Sequence, residues 1–432
     1  MESTHAAGNH HPPEGKMENA PEPPEDPPKP QLGLRFWLAF WAIAFTNLPA
    51  AFDATTLSVA LPAISATLGP SPSAFWAGTS YLLACTILML PWVTLSDAFG
   101  RRPILLTALI LFTLGSILSA TAPSWRTLLA GRTIQGLGGG GLMALTTVTI
   151  TDLVPLRERA RFNAMVSTVW AVGSATGPPL GGVLAVRGAW RWIFWINLPI
   201  VAVGVLGIEL FLRLRRRSRT IREKLRMFDF VGAGLFMLSL TAVLVPVTWG
   251  GRAVPVGELE DRCAAGSGGA GAGNLNQRHR PLLIPPSVLP SLTTLTLYTT
   301  STFHGLTLFS IVYYTPEYFQ SVKSYTPTIA GVAALPGTIT TVPCAILIGV
   351  AVALTGRYRF ALWVGWALTC LGIGLLILLY EETGVVQWVF IQGVSGLGIG
   401  CLFPTISIAV QASVPQRGVG IAATLVLFFH SG

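Results

Sequence analysis

The sequence predicts an all-α polytopic membrane protein built as two parallel helix bundles, the second of them incomplete. Three observations predict this. Of 432 residues only 11% are charged while 51% are apolar, with a mean hydropathy of +0.60; a water-soluble domain carries about 25% charged residues. The apolar residues arrive in runs of about twenty, the length a spanning helix needs. Short motifs also recur at a nearly constant offset in the two ends of the chain. The net charge of +9 does not point to nucleic acid, because the Lys and Arg residues lie in short loops rather than on one soluble face.

The elements follow in order. Residues 1–35 hold PEPPEDPPKP and no apolar run, and read as a disordered cytoplasmic tail without a removable signal peptide. Crossings are expected at about 36–60, 74–95, 103–122, 126–150, 162–185 and 192–212, which form an N-terminal six-helix bundle. A basic loop, a linker helix at 228–249 and a Gly/Ala-rich stretch occupy 213–291. Further crossings are expected at about 292–316, 328–352, 360–380 and 386–410, with one more starting at 418, as the C-terminal bundle 292–432.

Loop charge sets the orientation. With the N-terminus inside, the first three internal loops hold thirteen Lys/Arg and the external ones three, Arg126, Arg187 and Arg191. Positive residues favour the cytoplasmic side, so the N-terminus is expected there. Trp76, Trp125, Trp190, Trp192 and Trp249 then form an outer interfacial belt.

The two ends echo each other. Gly100-Arg101-Arg102 pairs with Gly356-Arg357-Tyr358-Arg359, Ile134-Gln135-Gly136 with Ile391-Gln392-Gly393, and Val154-Pro155-Leu156-Arg157 with Val414-Pro415-Gln416-Arg417, at offsets of 256, 257 and 260. Parallel half-repeats are a secondary-transporter architecture. They require an even number of crossings between equivalent loops, yet seven lie between Gly100 and Gly356. The odd one falls at 250–280, which is expected to be an irregular loop foreign to the transporter, as a retained intron would be. The second half should then impose its own orientation.

Ionisable groups at bilayer depth are costly and mark function by default. Asp53 and Arg132 fall at compatible depths on facing helices. Thr46, Asp53 and Thr56 share one helical face, as do Arg132, Gln135, Gly139 and Thr146, which puts Thr56 and Gln135 on a polar cavity wall. The Asp53–Arg132 pair suits a proton-loading site or a static salt bridge. His304, at mid-span, suits a proton relay or a neutral His bonded to backbone. Asp97, Gly100, Arg101 and Arg102 make a charged turn that suits a gating latch or a topology anchor. Glu209 and Glu317 are expected to reach the interface. Gly173, Gly177 and Gly181 form a groove for close helix packing, and Pro178 and Pro179 bend that helix. The glycine run 136–141 lacks the strand and the Lys-Ser/Thr of a phosphate loop. Five scattered cysteines have no metal spacing. No metal, cofactor or catalytic cluster is expected, which excludes a membrane-embedded enzyme.

These residues together resemble the major facilitator superfamily, in its fungal-type fourteen-helix drug:proton antiporter branch. The turn Asp97 to Arg102 resembles the family's loop motif, departing from it at Val93 and Ala98. Arg132-Thr133-Ile134-Gln135-Gly136 is similar to the fourth-helix motif, whose Arg is implicated in proton transfer. Gly173 through Gly182 is similar to the fifth-helix antiporter motif, and Asp53 through Pro62 to the first-helix motif. Residues 190–199 and 313–320 also resemble that branch, with Glu317 standing where an apolar residue is usual. The resemblance implies the major facilitator fold and export of a small organic molecule, a drug, toxin or secondary metabolite, in exchange for protons. It implies a monomer in the lipid bilayer, at the plasma membrane rather than the vacuole. A transport-defective fragment of the same family is the alternative.

Overall fold

The computed structural model describes residues 33–154, 156–212, 228–249, 291–415 and 418–431, with Glu223 and Val288. The N-terminal tail and the stretch 250–280 lie outside the described residues, as does Cys263.

Every expected crossing is helical. The order is α1 (Leu34–Phe45), α2 (Leu48–Leu68), α3 (Trp76–Phe99), α4 (Arg101–Ala120), α5 (Trp125–Leu153), α6 (Leu156–Val186), α7 (Trp192–Trp195), α8 (Asn197–Phe211) and α9 (Phe230–Trp249). Then come α10 (Leu292–Ser321), α11 (Pro327–Ala333), α12 (Leu335–Thr355), α13 (Arg359–Leu376), α14 (Val385–Ser413) and α15 (Val419–Ser431). Among the described residues there is no strand, and eight helical stretches are long and apolar enough to cross a membrane. Helices α5 and α10 exceed most of these in length but are diluted by Gly and Thr, the first carrying Arg132.

Three predicted crossings are each two helices in line. The breaks fall at Thr46–Asn47, at Ile196 and at Ala334, shortly before Pro49, Pro199 and Pro336. A proline lacks the N–H that would continue the ladder, and its ring crowds the preceding turn. At the first break, Asn47 donates to the Ile43 carbonyl at 3.3 Å and to Thr146 Oγ1 of α5 at 2.8 Å. The side chain thus replaces ladder bonds and ties α2 to α5.

One end of the bundle is marked by arginines and the other by tryptophans. Gly100, at φ +101°, reverses the chain between α3 and α4, and Gly356, at φ +65°, ends α12. Both conformations favour glycine, so these two echoed positions serve the same geometric purpose. At the tryptophan end Trp125 Nε1 donates to the Gly69 carbonyl at 2.8 Å, and Trp190 is fully buried.

The second half runs parallel to the first. A Cβ at Gly331 of α11 would strike the Pro178 carbonyl of α6, and one at Gly182 would strike the Pro327 carbonyl. Those contacts place the start of α11 at the tryptophan end. A Cβ at Gly420 of α15 would sit 3.4 Å from Val148 and 3.6 Å from Thr151, near the arginine end of α5. Val288 packs in one apolar cluster with Val414 and Tyr298. The expectation that the second half holds its own orientation therefore agrees with the described helices. Seven crossings separate Gly100 from Gly356, so the described helices alone do not account for the chain's return.

Candidate functional site

Asp53 of α2 and Arg132 of α5 form a salt bridge through Oδ2 and Nη1, with side chains 1% and 0% exposed. The surroundings are built from five helices. Arg132 Nε donates to the Ala77 carbonyl of α3 at 2.9 Å, and Nη1 donates also to Gln135 Oε1 at 2.9 Å. Gln135 Nε2 donates to Ser116 Oγ of α4 at 2.9 Å. Asn197, the first residue of α8, donates to Asp53 Oδ1 at 3.4 Å. The guanidinium carbon lies 4.4 Å from the Tyr81 ring centroid and 5.8 Å from that of Phe194. A cation over aromatic faces is stabilised by their negative quadrupole.

The arginine can reach this depth because α5 carries glycine on every packed side. A Cβ at Gly136 or Gly140 would strike the carbonyls of Tyr81 or Cys85, and one at Gly138 would strike the Phe112 amide. Helices α3 and α4 therefore close on α5 until the side chain of Arg132 is enclosed. Arg132 Nη2, Tyr81 Oη and Asn197 Oδ1 are buried and carry no protein hydrogen bond.

Two residues expected on the cavity wall lie elsewhere. Thr56 is buried under the α6 groove, its hydroxyl donating to the Phe52 carbonyl at 2.6 Å. A Cβ at Gly181 would strike Thr56, and Gln135 is held between Arg132 and Ser116. Neither lines the cavities described below; Thr55 does. Thr46, beside the break at Asn47, packs against Gly204 of α8, the helix whose Asn197 also reaches Asp53.

The groove of Gly173, Gly177 and Gly181 receives α2. A Cβ at these positions would meet Ala51, the Thr55 hydroxyl and the Thr56 carbonyl respectively. Pro178 and Gly182 face the other way, onto α11. Helix α6 is thus clamped between the two halves.

The charged turn is braced within the first half. Arg101 pairs with Asp97 at 2.6 Å and with Asp152 of α5 at 2.9 Å, and donates to Ser96 Oγ. Arg102 pairs with Glu209 of α8, whose side chain stays about half exposed near the end of that helix.

Among the cavities between the halves, two share Ser167, Trp170, Phe309 and Phe403. One encloses about 70 Å³ among Ala54, Thr55, Leu308 and Val342. The other encloses about 90 Å³ and is lined by His304 and His430. His304 Nδ1 lies 3.2 Å from His430 Nδ1, and its Nε2 lies 3.2 Å from the Ile399 carbonyl. Sequence reasoning missed His430, Asn197 and Tyr81. His430 ends an apolar run, and its partner is 126 residues away, so only a polar atom amid apolar neighbours could have flagged it. Cys344 and Cys401 lie with sulfurs 3.2 Å apart, joining α12 to α14 as free thiols. Among the described residues no cluster of three metal-ligating side chains occurs.

A family model described as Major Facilitator Superfamily matches residues 43–432. The chain is 42% identical to MFS transporter L2 of a Phoma species over 406 residues, covering 93% of this chain and 68% of that protein. It is 35% identical to MFS-type efflux pump LUC4 of a Fusarium species, covering 93% of this chain and 72% of the relative. The Acurin A biosynthesis cluster MFS-type transporter of Aspergillus aculeatus is 36% identical, with 95% and 75% covered. Among solved structures, a crystal structure of a double Trp mutant of XylE matches at a TM-score of 0.62 and 16% identity, covering 91% of this chain and 85% of that one.

Proposed function

Because the chain belongs to the major facilitator superfamily, whose members are secondary transporters, we propose that it exports a small organic molecule in exchange for protons by alternating access. The observation that carries this reading is the buried Asp53–Arg132 pair beside an apolar passage between two parallel halves. Burial raises the cost of a carboxylate and the guanidinium offsets it. Protonation of Asp53 leaves the arginine its bonds to Gln135 and the Ala77 carbonyl and its contact with the Tyr81 ring. Such an exchange couples proton loading to the packing of α2, α3, α5 and α8. Names among the relatives include efflux pumps and a biosynthesis-cluster transporter, which supports a secondary metabolite as cargo.

The remaining assignments follow from this reading. The N-terminus is cytoplasmic, which puts Arg101 and Arg102 inside as loop charge favours. The turn Asp97 to Arg102 acts as the brace that keeps the first half rigid, and Gly173, Gly177, Pro178 and Gly181 as the sliding contact. The protein works as a monomer in the plasma membrane.

Purified protein in liposomes with an imposed pH gradient tests the coupling. Cargo addition should drive a proton flux, read by an entrapped pH dye, in wild type and not in Asp53→Asn. A wild-type flux from Asp53→Asn overturns the assignment.

A further inference from the structure

The histidine pair lies away from the Asp53–Arg132 pair, and its hydrogens can be counted. Four ring nitrogens are involved, and two neutral rings carry one hydrogen each. His304 Nε2 faces the Ile399 carbonyl, which only accepts, so that nitrogen bears a hydrogen. His304 Nδ1 is then a lone pair, and His430 Nδ1 must donate across the 3.2 Å contact. By elimination His430 Nε2 is left bare, a base on a ring that lines the larger cavity.

The walls exclude one charge and accept the other. Among the described residues no Asp, Glu, Lys or Arg lines either cavity. The buried carboxylate of Asp53 is already engaged by Arg132, so an organic cation would find no counter-charge and would keep its desolvation cost. An acid brings its own proton. Beside the pair, the rings of Trp170, Phe309 and Phe403 offer flat apolar contact continuous into the second cavity.

We propose that the His304–His430 pair is the head-group site for a weakly acidic amphipathic ligand, a carboxylic acid, enol or phenol whose aromatic or alkyl body lies along Trp170 and Phe403. On binding, the ligand O–H donates to the bare His430 Nε2, and no covalent bond breaks. The proposal rests on reading these cavities as the transport path, but binding itself needs no gradient.

The test is a matched trio with one aromatic body: tritiated 1-naphthoic acid, 1-naphthamide and 1-naphthylmethylammonium, bound at equilibrium to the full chain in nanodiscs. The acid should bind at least about tenfold more tightly than the amide, and the ammonium least. His430→Gln should bring the acid down to the amide's affinity, with an unchanged melting temperature in detergent showing that the variant is folded. Asp53→Asn should keep the preference for acid, so a failure of proton coupling is read separately. A preference for the ammonium, equal binding of all three, no binding of any, or an unaltered acid preference in His430→Gln would each overturn the proposal.

Discussion

At the scale of single residues, Arg132 is held by shape as much as by charge. It donates to a carboxylate, an amide oxygen and a backbone carbonyl with its guanidinium carbon over the Tyr81 ring. A lysine supplies a point charge with no fork and no plane to stack. Arg132→Lys is therefore expected to lose proton-coupled flux as fully as Arg132→Ala, in the liposome assay. Removing one partner of a buried pair leaves a bare charge and typically costs roughly 3–5 kcal/mol. The double variant Asp53→Asn/Arg132→Gln should accordingly melt above Arg132→Ala, measured by thermal unfolding in detergent, while remaining inactive. Asp53 and Arg132 were legible because charge is rare in this sequence and depth can be counted along a helix. Asn197 and Tyr81 were not, since a lone amide or phenol in an apolar run looks the same whether it touches a charge or lipid. Thr56 failed for a different reason: three residues on, it is turned about 60° round the helix from Asp53, enough to seat it under the α6 groove.

At the scale of elements, α6 is a two-sided bearing. One stripe of glycines seats α2, and Pro178 and Gly182 touch α11 backbone to backbone. Gly177→Leu places a branched side chain where Thr55 and the Phe52 carbonyl already stand, and is expected to abolish flux with expression retained. Gly331→Val should act at the opposite face of α6 by wedging the Pro178 contact apart. Its signature would be faster labelling of a cysteine introduced at Thr328, in a background whose native cysteines are replaced, than in the matching Gly331 protein. Helix positions were readable from apolar run length within a few residues. The in-line breaks before Pro49, Pro199 and Pro336 were not resolved, because each run stays apolar across its break and composition alone registers no change.

At the scale of the whole molecule, the halves differ in how they are held. The first is cross-braced at its arginine end by Arg101 and Arg102 and at its tryptophan end by Trp125. The seam between halves has few side-chain hydrogen bonds among the described residues, such as Tyr313 Oη to the Ala54 carbonyl at 3.2 Å and Thr86 Oγ1 to Ser431 Oγ at 3.0 Å. The parallel arrangement was visible in the echoed turns, and both Gly100 and Gly356 adopt positive φ. It carries a direct test. Cysteines replacing Arg102 and Arg357, in a background with the native cysteines replaced, should react with an impermeant maleimide from the same face of the membrane. Labelling from opposite faces would show the second half inverted.

The seam also has a consequence for how the gene can vary. Glycine is the smallest residue, so every missense change at the codons for Gly177, Gly182 or Gly331 adds at least one carbon where a carbonyl or hydroxyl already lies in contact. No neighbouring sequence offers a smaller or equal occupant. At these positions drift has no neutral direction, whereas the cavity wall a helical turn away on α6, at Ala171 or Ser174, can exchange methyls and hydroxyls. A lineage of such chains could therefore change what it carries through the wall residues while the contact that moves stays fixed.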